Sequence, residues 1–150
     1  MSFQEFVALN SATAKFIEFD KSVATVEEAA VALKVGVEFF AKSLLFSVNN
    51  IPILVVVCGN KRANIVRLSD ILQVPPKKIK MARPMEILEL TGFSVGCVPP
   101  FGHKVKLHTI IDSCIQNLDF VFVGSGNSNM LLKISPTDII RITEGEVVSI

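Results

Sequence analysis

The stretch that decides the fold is "FFAKSLLFSVNNIPILVVVCGN", Phe39 to Asn60. Its second half, Ile53 to Val57, is a run of apolar and mostly β-branched residues, which suits a strand buried on both faces. Asn49-Asn50 supplies the turn that returns one strand onto another. Lys42 therefore opens the first strand of a pair, a cation at the edge of apolar sequence.

Working outward, strand and helix signals are mixed. "SFQEFVALN" has Phe3, Phe6, Val7 and Leu9 near helical spacing with Ser2 as cap. "KFIEFDKSV" reads as a short strand or extended lead-in. "TVEEAAVALKVG" reads as a helix with Thr25 as N-cap, Glu28 completing a capping box and Gly36 as its stop. On the other side, "NIVRLSDILQV" has helical spacing and ends at Pro75-Pro76. "KIKMARP" is extended, and "PMEILELTG" is a short helix from Pro84 to Gly92. Strands follow in "KLHTIIDSCIQ", "DFVFVGSGN" and "LLKIS", and "SPTDIIRITEG" is a helix capped by Ser135 and terminated by Gly145. Strict β-α alternation is missing. The pattern predicts an α+β domain spanning 1–150: a curled, partly barrel-like mixed sheet with helices outside it.

Size and composition agree with one domain. The chain has 150 residues, half of them hydrophobic, and a net charge of +1. At this length a sizeable core can be buried. No apolar run reaches the roughly 18 residues of a membrane span, and the start lacks the order of a signal peptide. Cys58, Cys97 and Cys114 are odd in number and widely spaced, which predicts reduced thiols and a cytoplasmic home. Charge is uneven, since residues 61–83 carry seven cations against Asp70 alone, a net +6. Lys61, Arg62, Lys77, Lys78 and Lys80 are thus candidates to meet a polyanion, and a solvated basic face is the plainer alternative.

Several chemistries are disfavoured. Ser125, His108 and Asp112 could be drawn as a triad, but there is no G-x-S-x-G. His103, His108, Cys97 and Cys114 lack the spacing of a zinc site, so no metal and no cofactor is predicted. "GSGNSN" lacks the last glycine of a dinucleotide loop. The glycine-containing turns at 96–102 and 124–126 are better suited to offering backbone N–H groups to an anion or a developing oxyanion. Two ordinary loops would look the same.

The order "TVEEAAVALKVG…FAKSLLFSV", "ILVVVCGNKR", "TGFSVGCVPPFGHKVKLHTIIDS" and "FVFVGSGN…LLKISPTDIIRIT" resembles the YbaK family of aminoacyl-tRNA deacylases. The same domain is the editing module inserted in many bacterial prolyl-tRNA synthetases. The likeness runs from about Thr25 to Ile150. It implies that Lys42 engages the terminal adenosine or its phosphate. It further implies that Gly96 and Pro100 form the G-x-x-x-P loop that holds the aminoacyl carbonyl, and that Asp112 belongs to the same functional set. Gly124, Ser125 and Gly126 would line the cleft, and Phe46, Cys97 and Val98 the amino-acid pocket. Cys97 and Pro99 stand where many relatives have glycine and serine. The implied activity is hydrolysis of mischarged aminoacyl-tRNA, with cysteinyl- or alanyl-tRNA(Pro) as leading substrates and prolyl-tRNA synthetase as an implied partner. A binding module that has lost catalysis is the alternative, and a small-molecule esterase a third.

Overall fold

The computed structural model describes residues 1–11, 13–23 and 25–150. The first half contains helix α1 (Phe3–Asn10), strand β1 (Lys15–Glu18), helix α2 (Val26–Leu33), and strands β2 (Ala41–Val48) and β3 (Ile51–Cys58). Helix α3 (Ile65–Leu72), strand β4 (Ile79–Met81) and helix α4 (Pro84–Thr91) follow. The chain closes with β5 (His108–Asp112), β6 (Val121–Gly124), β7 (Met130–Ile134), helix α5 (Pro136–Thr143) and β8 (Glu146–Val148).

The hairpin of β2 and β3 is the spine. Asn49 and Asn50 take φ values of 51° and 67°, as a two-residue turn matched to strand twist requires. The register runs from Val48 opposite Ile51 to Ala41 opposite Cys58. β3 is buried from Ile53 to Cys58 because both of its faces are covered. Leu54 and Val56 face the core between the sheets, whereas Val55 and Val57 pack with Leu68 of α3. The five-stranded sheet has the order β4-β2-β3-β5-β8, with β5 parallel to both β3 and β8. β4 covers only Phe46 to Val48 of β2. A second sheet, β1-β7-β6, is antiparallel. Its Val121, Val123 and Leu132 meet Leu45, Leu54 and Ile111 of the first.

The expected mixed α+β architecture with flanking helices is thus present, its strands divided between two sheets that do not close. They touch through a parallel bridge between Phe40 and Phe122 and part beyond it. Two helix stops also differ from expectation. Lys34 (φ 57°) and Glu144 (φ 54°) take the left-handed cap positions, so α2 and α5 end before Gly36 and Gly145. Gly145 is needed for space, since a Cβ there would stand 2.7 Å from Ile111. Gly92, with φ 83°, does end α4.

The cysteines are a further correction. Cys58 and Cys114 form a disulfide with a Cα separation of 6.3 Å, and only Cys97 is free. Adjacent parallel strands bring their C-terminal ends together, which a sequence separation of 56 does not reveal.

A polar clasp joins the two ends of the chain. The Ser11 and Thr13 hydroxyls donate to Asp138 Oδ2 at 2.6 and 2.7 Å. Arg141 pairs with Asp138 Oδ1 at 3.1 Å and donates to the Asn10 carbonyl. Burial works to raise the Asp138 carboxyl, but the two hydroxyls and Arg141 outweigh it and hold it below its usual range. No helix among the described residues is long and apolar enough to cross a membrane.

Candidate functional site

A cavity of about 580 Å³ opens where the sheets part. It is lined by Lys42 and Ser43 of β2, by residues 96 to 98, and by the apolar Phe40, Leu45, Phe122 and Met130.

Lys42 lies near the end of β2, opposite Val57, where β4 no longer reaches. Glu27 in the first turn of α2 and Asn60 after β3 stand on the same rim. Asn60 Nδ2 donates to Glu27 Oε1 at 3.1 Å. The Glu27 carboxyl lies below its ordinary pKa because its own backbone N–H and Asn60 donate to it, with the Lys42 charge a smaller contribution. The rim thus carries fixed charges of both signs at neutral pH.

Ser43 is the one buried side-chain polar group among the described residues with no hydrogen-bond partner. Its backbone is also distinctive. The Leu45 carbonyl accepts from Ala82 N–H at 2.9 Å, so odd-numbered residues of β2 direct their backbone groups away from β3. Among the described residues no strand pairs with that edge at Ser43.

The 96–98 loop is held by close backbone packing. Gly96 has φ 87°, and no atom lies within 4 Å of where its Cβ would stand, so backbone conformation, not crowding, calls for glycine. Cys97 N–H donates to Ser94 C=O at 3.1 Å, and Cys97 C=O accepts from Gly126 N–H at 2.8 Å. A Cβ on Gly124 would sit 2.5 Å from the Val98 carbonyl oxygen. Gly124 and Gly126 therefore clamp the 96–98 loop, and the Gly126 N–H is spent in doing so. The N–H groups of Gly96 and Val98 have no acceptor among the described residues. Burial pushes the Cys97 thiol up, which keeps it protonated at neutral pH.

The rest of this loop is support. Pro99 C=O accepts from His103 Nε2 at 2.8 Å, and burial lowers the pKa of that imidazole despite the bond. Phe101 stacks on Phe3 at 5.9 Å and lies 5.8 Å from Phe6, so α1 braces the loop from behind.

The structure therefore brings together Lys42, Gly96, Cys97, Val98 and Gly124 and leaves other expected residues outside the cavity wall. Pro100 faces a second cavity of about 470 Å³ beside α1. Asp112 is buried and accepts from Cys114 N–H at 3.2 Å, which stabilises the turn after β5. Ser125 is buried and donates to Met130 C=O at 2.7 Å. Phe46 belongs to the core on the α3 face. The basic residues split into two groups. Lys61 and Arg62 are exposed just past Asn60 at the rim, whereas Lys77, Lys78 and Lys80 lie at the hairpin end of β2, with Lys80 opposite Ser47. Sequence reasoning missed Glu27, Ser43 and Asn60. A serine among the apolar residues of "AKSLLF" was a usable signal; nothing local singled out the other two.

Comparison with known proteins follows this geometry. Residues 20–142 match the family model described as "Aminoacyl-tRNA editing domain". A solved structure described as a "putative trans-editing enzyme for prolyl tRNA synthetase" superposes with a TM-score of 0.83 and 29% identity, covering 91% of this chain and 85% of that one. Fold and cleft define a domain of the tRNA-editing class. An uncharacterised protein of Bacillus subtilis (strain 168), YwhH, is 30% identical over 131 residues, which is 87% of this chain and 82% of YwhH. The chain belongs to the aminoacyl-tRNA editing domain family. A proline–tRNA ligase of Lactobacillus gasseri is 29% identical over 105 residues, 70% of this chain but only 18% of the ligase.

Proposed function

We propose that the protein is a trans-editing deacylase that hydrolyses the ester between a wrongly attached amino acid and the 3′-terminal ribose of tRNA, with alanyl- or cysteinyl-tRNA(Pro) as substrate. The observation that carries this reading is the cleft, which Lys42 lines together with a loop whose Gly96 and Val98 N–H groups have no acceptor among the described residues. Family membership and the likeness to a proline–tRNA ligase support the substrate class.

In this mechanism Lys42 binds the phosphate of the terminal adenosine. The N–H groups of Gly96 and Val98 take the aminoacyl carbonyl and stabilise the oxyanion as water adds, each worth about 2.7–4 kcal/mol in comparable sites. Collapse of the tetrahedral species expels the ribose hydroxyl, which takes up a proton, and releases the free amino acid. The ester is activated already, so the reaction asks for no protein nucleophile; the Cys97 thiol, held protonated, lines the pocket instead. A cavity of this volume suits an aminoacyl group with part of its nucleoside. Pro100 and Asp112 act as positioning residues: Pro100 stiffens the loop and Asp112 fixes the exit of β5. Lys61 and Arg62, exposed just past Asn60, would meet the acceptor strand. Lys77, Lys78 and Lys80 would meet phosphates farther along, with affinity that falls as salt rises.

Incubating the native protein with alanyl-, cysteinyl- and prolyl-tRNA(Pro) tests the reading. Release of alanine or cysteine in preference to proline is expected. Hydrolysis of none of them, with tRNA still bound, would turn the assignment to a binding module. Hydrolysis of small esters as fast as of tRNA, indifferent to salt, would turn it to an esterase.

A further inference from the structure

We propose that Ser43 recognises the α-amino group of the bound aminoacyl ester, through its hydroxyl and its backbone carbonyl. This assignment rests on the editing reading above and deepens it.

Three observations converge on the residue. Its Oγ is covered and has no partner, the only such buried side-chain atom among the described residues. An unpaired buried hydroxyl carries a desolvation penalty that a ligand can relieve. The residue as a whole is nevertheless only half-buried and lines the cavity. Its backbone, finally, lies at an open sheet edge. Odd-numbered residues of β2 point their N–H and C=O away from β3, and the segment of β4 reaches no farther along that edge than the bond from Ala82 N–H to the Leu45 carbonyl. A carbonyl and a hydroxyl from one residue make an acceptor pair, which is what an ammonium group with three donors needs.

The position also separates the two charged ends of the substrate. Successive side chains leave a strand on opposite faces, so Lys42 and Ser43 diverge. A phosphate held by Lys42 and an ammonium held at Ser43 then lie on either side of the edge, with the ester carbonyl between them facing Gly96. Glu27, ionised on the same rim, keeps the cleft hospitable to a cation despite Lys42.

The test compares alanyl-tRNA(Pro) with lactyl-tRNA(Pro), in which a hydroxyl replaces the amino group at nearly the same volume. Each enzymatic rate is taken relative to the spontaneous hydrolysis of that ester. The native protein is expected to favour the alanyl ester about tenfold or more, the usual worth of a hydrogen bond to a charged group. Ser43→Ala should lose about tenfold on the alanyl ester, change little on the lactyl ester, and melt no lower than native. The melting curve separates this role from a structural one, because removing an unpartnered hydroxyl does not destabilise the fold. A Ser43→Ala variant that hydrolyses the alanyl ester at the native rate overturns the assignment. So does one that loses equally on both esters or melts several degrees lower. A native protein that releases neither alanine nor cysteine from tRNA(Pro) fails the editing reading itself, which is a different outcome from a native enzyme indifferent to Ser43.

Discussion

The clasp between α1 and α5 and the cleft beside β2 are both rich in polar groups, yet they treat them in opposite ways. In the clasp, Asp138 accepts from Ser11, Thr13 and Arg141. In the cleft, the Ser43 hydroxyl and the N–H groups of Gly96 and Val98 have no partner among the described residues. Polar groups that satisfy one another hold the fold together. Polar groups held apart by rigid backbone are reserved for something that arrives later.

That contrast can be broken from either side. Lys42→Ala should reduce deacylation about a hundredfold, in the range set by losing one electrostatic contact to the reacting group, while leaving the melting temperature within about a degree. Single-turnover hydrolysis and a thermal melt on the same sample check both halves. Gly124→Ala should cost about 2 kcal/mol of stability and also lower activity, because the new methyl meets the carbonyls of Cys97 and Val98 and shifts the loop. Urea titration gives the first number. Asp138→Ala should cost about 1–2 kcal/mol through its lost hydrogen bonds but leave the rate per folded molecule unchanged. Parallel urea and rate measurements would expose any link between clasp and cleft.

The smallest effect is that of pH on His103. Its imidazole is held below its ordinary pKa, so the unfolded chain binds the proton more readily and stability declines as pH falls below about 6.5. The decline levels off once the pH is below the lowered folded value. Native melts between pH 7.5 and 5.5 should show this slope, and His103→Gln should flatten it.

The same contrast marks how far the sequence could be read. Elements fixed by local chemistry were legible: the Asn49-Asn50 turn, the buried run of β3, the Ser2, Thr25 and Ser135 caps. Lys42 and the 96–98 loop were legible through family resemblance, and the cavity does gather them. What depended on long-range geometry was not. The division into two sheets, and the short reach of β4 along β2, are facts of pairing that no window of sequence displays. The Cys58–Cys114 disulfide is a product of the parallel register of β3 and β5. Gly126 was read as an anion donor because the sequence shows a glycine turn but not the acceptor, Cys97, that takes its N–H. Asp112, read as part of the functional set with Lys42, and Ser125, read as a cleft residue, each hydrogen-bond to nearby backbone, which the sequence does not display.

The stacking of Phe3 and Phe6 on Phe101 has a consequence for the order in which the molecule is made. Some ninety-five residues separate the two partners, so the contact closes a long loop and forms late in folding. The clasp that seats α1 needs Asp138 as well, and β1 can pair only once β7 exists. A chain still being synthesised therefore has Lys42 in a hairpin long before it has the 96–98 loop that lines the same cavity. Stalled chains ending near Gly124 should carry the β2–β3 hairpin and remain silent toward tRNA, with competence arriving only as α5 leaves the ribosome.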